Sequence, residues 1–242
     1  MMHILILAAG QAHLDMPDGS YPLCLTERNG VPLIEQLMKA CPTDSRFIVA
    51  LREQDIRRYH LDNVIGLLAP DAHILHVSDG TRGAACTALL AAGHIDNDHE
   101  LLILNGNELL TADFSPILAD FRARGLDAGC VTFPSVHPRY SYVRVNRDQY
   151  IVEAAEKNPI SRLATAGFYW FARGRDFVRA AQNMIRKDAS VKGLFYICPT
   201  LNQLVLEQAK IGIHTVDADH YHPLKTERQL MHYATLDTKK VL

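Results

Sequence analysis

The chain has little of what marks several large protein classes. Its five cysteines, Cys24, Cys41, Cys86, Cys130 and Cys198, are odd in number, and no two are spaced as C-x-x-C. That argues against a disulfide framework and against a thiolate zinc site. Reduced cysteines, partly used as small core residues, are expected instead. No apolar run approaches the roughly 20 residues needed to cross a bilayer. The opening HILILAAG has no basic n-region and too short an apolar core for a signal peptide, so a cytoplasmic protein without a membrane span is expected. Basic charge is not in excess either, with a formal net charge of -2. Nucleic acid is therefore not an expected partner, although a local basic pocket for a small anion is left open. No Gly/Ser/Pro-rich linker, charge block or internal repeat divides the chain. With 242 residues, 48% of them hydrophobic, a single α/β domain over 1–242 is expected.

What is there is an alternation of short apolar runs and longer amphipathic stretches. Strands are expected at His3–Leu7, Arg46–Ala50, His73–Val77 and Leu101–Leu104, each a near-continuous apolar run. Helices are expected at Pro32–Ala40, Glu53–Tyr59, Gly83–Gly93 and Asp113–Arg124, the last with Asp113 as its N-cap. Past about residue 125 the rhythm changes. Strands are expected at Asp127–Phe133, Ser141–Asn146, Tyr150–Ala155, Ala164–Phe171 and Ile211–Val216, with a hairpin turn at NRDQ. Helices are expected at Arg175–Lys187, Pro199–Gln208 and Thr226–Ala234. The fold class is α/β: a Rossmann-like, mixed and mostly parallel sheet flanked by helices, with a C-terminal mixed-sheet portion. In such sheets ligands gather beyond the carboxyl ends of the strands. The loop after Leu7 and the NGNE turn after Leu104 should lie there.

Six motifs in order bear on function. They are ILAAG followed by YPLCLTERNGVPLIEQLM, then TRGAACTALLAA, LLILNGNELL, VEAAEKNP, ATAGFYWF and YHPLKTERQL. Together they resemble the sugar-phosphate nucleotidyltransferase family, over nearly the whole chain. The resemblance implies a nucleotide-binding half over about 1–125 and a sugar-phosphate-binding half over about 126–242. It implies a nucleoside triphosphate and a sugar phosphate as partners, and magnesium as cofactor. Nucleotidyl transfer joins a sugar phosphate to an α-phosphorus and expels pyrophosphate. Catalysis is mostly alignment plus cationic stabilisation of the phosphoryl oxygens.

On this resemblance the nucleotide would meet Ala8, Ala9, Gly10, Arg82, Gly83, Asn105 and Gly106. Lys157 would hold the acceptor phosphate and Glu156 would accept sugar hydroxyls, giving the catalytic pair. Gly167 would pass under the sugar ring, and Tyr142, Arg144 and Lys225 would meet the sugar phosphate. Each has a plainer reading. Glu156 and Lys157 also read as a solvated charge pair, Gly83 as a close-packing glycine, Gly167 as a bulge, and Arg82, Tyr142 and Arg144 as ordinary surface residues. His220 and His222 could ligate a metal together, but no third ligand is evident.

The cation and metal positions depart from the pattern. Leu14 stands near the family's loop Arg, Ala12 at its second loop Gly, and Leu23 follows Pro22 where the family has Lys. Asn107 replaces the magnesium-binding Asp, and Pro223 falls about where a second is often found. No Lys or Arg stands between Gly10 and Pro22, where His13 is the only side chain able to become cationic. The remaining metal donors are weak: Asn107 offers a neutral oxygen, and Glu108, Asp15 and Asp18 are the nearby carboxylates. Three readings stay open. One is a nucleotidyltransferase of nucleotide-sugar and surface-polysaccharide synthesis with reduced activity. The second is an inactive nucleotide- or sugar-binding homologue acting as a partner or regulatory subunit. The third is a glycosyltransferase-like protein, for which NGNE is a poor Asp-x-Asp motif and DAD at Asp217–Asp219 comes late. A homodimer is the commonest closed assembly.

Overall fold

The computed structural model describes residues 1–10, 21–78, 80–224, Gln229 and Tyr233. Strand β1 (Met2–Leu7) leads to a small hairpin of β2 (Glu27–Arg28) and β3 (Val31–Pro32), then to α1 (Leu33–Lys39). Strand β4 (Ser45–Arg52) is followed by α2 (Glu53–Tyr59) and α3 (Leu61–Leu68). Strand β5 (His73–Val77) is followed by α4 (Ala84–Leu89) and α5 (Ala92–Ile95). Strand β6 (Glu100–Asn105) turns into β7 (Glu108–Leu110) and α6 (Phe114–Ala123). Then come β8 (Ala128–Pro134), β9 (Ser141–Val145), β10 (Ile151–Glu156), β11 (Leu163–Phe171) and α7 (Gly174–Arg186). The described chain closes with α8 (Leu201–Leu206), β12 (Ile211–Thr215) and β13 (Tyr221–Pro223).

Nine strands make one mixed sheet in the order β10-β9-β11-β6-β1-β4-β5, with β8 joining β11 to β12. Strands β6, β1, β4 and β5 are parallel, while β11 runs antiparallel to β6, β8 and β9. Helices cover both faces, so successive strand residues are buried on opposite sides. Ile4, Ile6, Leu102, Leu104, Phe168 and Trp170 pack under α1, α3 and α6. Leu5, Leu101, Ile103, Tyr169 and Phe171 pack under α4, α7 and α8. Burying each such Leu, Ile or Phe side chain contributes about 1.5–3 kcal/mol. At the β10 edge Asn202 stands in for another strand. Its side chain accepts from Ala154 N at 2.8 Å and donates to Ala154 O at 2.7 Å. That occupies part of an edge otherwise open to pairing with another chain.

Several expected elements differ. The helix expected over Gly83–Gly93 is two helices. Leu90 and Ala91 donate to Thr87 and Ala88 three residues back, and this tightening ends α4 as the buried Ala91 turns toward the core. The helix expected over Pro199–Gln208 begins as a 3-10 turn over Cys198–Thr200 and ends at Leu206. The Thr226–Ala234 helix lies largely outside the described residues; Gln229 and Tyr233 are helical. No helix among the described residues is long and apolar enough to cross a membrane.

Candidate active site

The parallel strands end at one rim, as the doubly wound arrangement requires. Strand β11 helps to open a cleft there. Its first residues pair with β9 through Leu163 and Ala164, and its last four pair with β6 from Phe168 onward. Between them the pairing with β8 slips at a bulge, where Gly167 has φ +67°. A side chain at Gly167 would be forced into the left-handed region and would meet Glu108 Oε2 at 2.7 Å. The cleft above this bulge holds about 630 Å³, within the range of small-molecule sites.

At one end lie Ala9, Gly10, Ser78, Thr81, Gly83 and Thr87. Gly83 precedes α4 with φ +101°, and a Cβ there would sit 2.4 Å from Phe195 O. That glycine is needed for close approach of the Phe195 backbone, its plainer reading. Thr81 and Thr87 share a hydrogen bond at 2.9 Å. Arg52, the last residue of β4, also reaches this end but is held by both oxygens of Asp55, at 2.8 and 3.0 Å.

The other end carries Glu156, Lys157, Arg139, Tyr140 and Tyr196. Lys157 follows β10 in the left-handed region, φ 55°, and its N–H donates to Tyr140 O at 3.0 Å. That conformation costs a non-glycine residue on the order of 1 kcal/mol. It sets the ammonium over the Tyr196 ring, 4.7 Å from the centroid, with Nζ donating to the Tyr196 hydroxyl at 2.7 Å. Glu156 accepts from the Ser141 hydroxyl. The floor carries Thr165 and Tyr169, whose hydroxyls lie 2.7 Å apart. Burial raises the Tyr169 pKa well above the tyrosine range, so its hydroxyl stays protonated.

At the centre is the turn between β6 and β7. Asn105, Asn107 and Glu108 line the cleft there. Glu108 is buried; Oε2 accepts from the Tyr221 hydroxyl at 2.8 Å and Oε1 from the Asn105 amide at 3.2 Å. Burial, then the Glu108 carboxylate, hold the Tyr221 pKa well above its ordinary value. The phenol is a permanent donor.

The other expected site residues sit elsewhere. Ala8 and Gly106 do not line the cleft; they pack against each other, with Gly106 N–H donating to Leu7 O at 2.9 Å. Arg82 stacks on Phe195, 5.1 Å from the ring centroid, and donates to Gly193 O at 3.3 Å, outside the lining. Tyr142 is fully buried and its hydroxyl donates to His137 O at 2.7 Å, so it has no surface left for a sugar phosphate. Arg144 is exposed, ion-paired with Glu153 on β10, and outside the cleft lining. Lys225, Ala12, His13, Leu14, Asp15 and Asp18 lie outside the described residues.

Sequence reasoning missed Arg52, Tyr140, Tyr196 and Tyr221. The position of Arg52 at the carboxyl end of a parallel strand was a usable signal. Tyr221 was hidden by His220 and His222: the alternation of β13 turns the tyrosine inward. The two histidines flank Thr111, with Nδ1 of His220 3.2 Å from Thr111 O.

These donors do not fit a resident magnesium site. Asn107 brings no charge, and the Glu108 carboxylate already accepts from two donors with the Gly167 backbone against it. Magnesium needs oxygen ligands at about 2.1 Å in near-octahedral array, usually with a carboxylate free to bind. Among the described residues no group of three His, Cys, Asp or Glu could hold a metal ion.

Comparison with known proteins bears on the family and the fold. A family model described as nucleotidyl transferase matches residues 30–198. A nucleoside-diphosphate-sugar pyrophosphorylase from Vibrio cholerae RC9 has a similar structure, with TM-score 0.79 and 18% identity over 96% of this chain and 100% of that one. So does a UDP-glucose pyrophosphorylase in complex with UDP-glucose, with TM-score 0.78 and 13% identity over 99% of each chain. At such identities the likeness is one of fold. No curated protein matches the chain by sequence.

Proposed function

Because the chain belongs to the nucleotidyl transferase family, we propose that its cleft binds a nucleoside triphosphate and a sugar phosphate side by side and joins them slowly by nucleotidyl transfer. The observation that carries this reading is Lys157, a cation held at one end of the cleft by Tyr196. In this reading the base lies against Gly83 and Thr87 at the other end. The sugar phosphate rests on Lys157, with Glu156 facing its hydroxyls. An acceptor phosphate oxygen attacks the α-phosphorus and pyrophosphate leaves. Lys157 offsets charge on the acceptor phosphate, and the two binding ends align the reactants. The half over about 1–125 serves the nucleotide and the half over about 126–242 the sugar phosphate. The product is a nucleotide sugar for surface-polysaccharide synthesis in the cytoplasm.

The transfer is slow in this reading because cations and metal ligands are few where charge builds. Losing one such stabilising group typically costs about 10²–10³ in rate. A second reading, binding without turnover, draws support from Glu108, which is held in place by hydrogen bonds from Tyr221 and Asn105. A glycosyltransferase-like role is disfavoured: Asp217–Asp219 runs into an exposed 3-10 turn before β13. The test is pyrophosphate release from each common nucleoside triphosphate with a panel of sugar 1-phosphates, alongside thermal shift. Slow turnover with one pair supports transfer. Stabilisation without turnover supports the second reading, and neither response contradicts both.

A further inference from the structure

We infer that this cleft holds its nucleotide ligand without a divalent cation, and so takes a nucleoside diphosphate sugar in preference to a nucleoside triphosphate. The inference rests on the proposed reading of the cleft as a nucleotide and sugar-phosphate site.

The first observation is how the central carboxylate is held. Tyr221 donates to Glu108 Oε2 at 2.8 Å, and Asn105 to Oε1 at 3.2 Å. The Gly167 backbone closes in so far that even a Cβ there would lie 2.7 Å from Oε2. Tyr221 cannot easily swing away. Its ring stacks on Phe133 with centroids 4.2 Å apart and meets Tyr140 edge-on at 5.7 Å. Strand β13 pairs with β7, and Leu224 N–H donates to Asn107 O at 3.0 Å, fixing the turn. The clamp uses part of the accepting capacity of Glu108 and leaves it little freedom to turn toward an ion. Asn107 offers it only a neutral oxygen.

The second observation is the balance of charge. Arg52 is neutralised by Asp55. Among the other described lining residues, Arg139 and Lys157 stand against Glu108 and Glu156. Nothing in this set offsets the additional charge of a third phosphate, whose repulsion grows in a partly desolvated cleft. A diphosphate sugar carries less charge. It also brings sugar hydroxyls that can pair with Glu156 in the cleft lining.

The test is isothermal titration calorimetry of the full chain with nucleoside diphosphate glucoses and the matching triphosphates, in excess EDTA and in excess magnesium chloride. The expected result is a diphosphate-sugar affinity that agrees within about twofold between the two conditions, with the triphosphate at least about tenfold weaker in both. Asn107→Asp, which returns a carboxylate to the turn, is expected to introduce at least about tenfold dependence on magnesium. A wild-type affinity that rises about tenfold or more with magnesium, or a preference for the triphosphate, would overturn the inference and leave the proposed function standing. Failure of every compound to bind under both conditions would overturn both.

Discussion

The Tyr221 hydroxyl donates to Glu108 Oε2 at 2.8 Å, joining β13 to β7 beneath the cleft. Tyr221→Phe removes this donor from a buried carboxylate without changing the ring packing. The expected cost is about 1–2 kcal/mol, read as a fall in Tm of about 2–8 °C for a domain of this size. An unchanged Tm would show that the clamp contributes little.

Lys157 separates binding from stability. Lys157→Ala removes the ammonium from Tyr196 and should weaken sugar 1-phosphate binding about tenfold to a hundredfold, read by calorimetry. Lys157→Gly should lose the same binding yet be more stable than the alanine variant by about 1 kcal/mol, because glycine adopts the positive φ without strain. Denaturant midpoints of the two variants give the comparison.

Histidines at the opposite rim give a pH dependence. Burial, then His99, Arg46 and His94, depress the His3 pKa. Burial, then His94 and His76, do the same for His73. Each therefore binds its proton more readily in the unfolded chain. Their effect is absent above the unfolded value of ~6.5 and becomes a loss of stability as pH falls below it, levelling off below the folded value. Urea midpoints measured from pH ~7.5 down to ~5.5 should fall, and His3→Gln should flatten the curve.

Thiol reactivity should be uneven. Burial pushes Cys24, Cys41 and Cys130 up to about 12 and Cys198 well above the thiol range. Cys86 is raised less and is partly exposed on α4. Under native conditions an aromatic disulfide reagent should modify Cys86 first. The other thiols should react only as fast as the protein opens.

Much of this was legible in the sequence. Continuous apolar runs marked β1, β4, β5 and β6, and α2 and β5 have the bounds their sequences suggest. Asp113 caps α6 by accepting from Ser115 N at 2.9 Å, as its residue type foretold. Helix α3 was hidden because Gly66 weakens its helical signal and His60 breaks the run from α2 in the left-handed region. Strands β7 and β13 are three residues each, too short for periodicity. The site was harder. Its motifs located Gly83, Glu156 and Lys157 in sequence, but the partners that define them come from distant segments. Tyr196 reaches Lys157 from 39 residues away and Tyr221 reaches Glu108 from 113. Tyr142 misled because two-residue spacing fixes a strand face without saying that the face is covered.

The most direct measurement of the central claim is a crystal structure with a nucleoside diphosphate sugar bound. The account predicts the base against Gly83 and Thr87, and the sugar-linked phosphate within hydrogen-bond reach of Lys157 Nζ. A ligand seated elsewhere, or in this cleft without contact to Lys157, would contradict it.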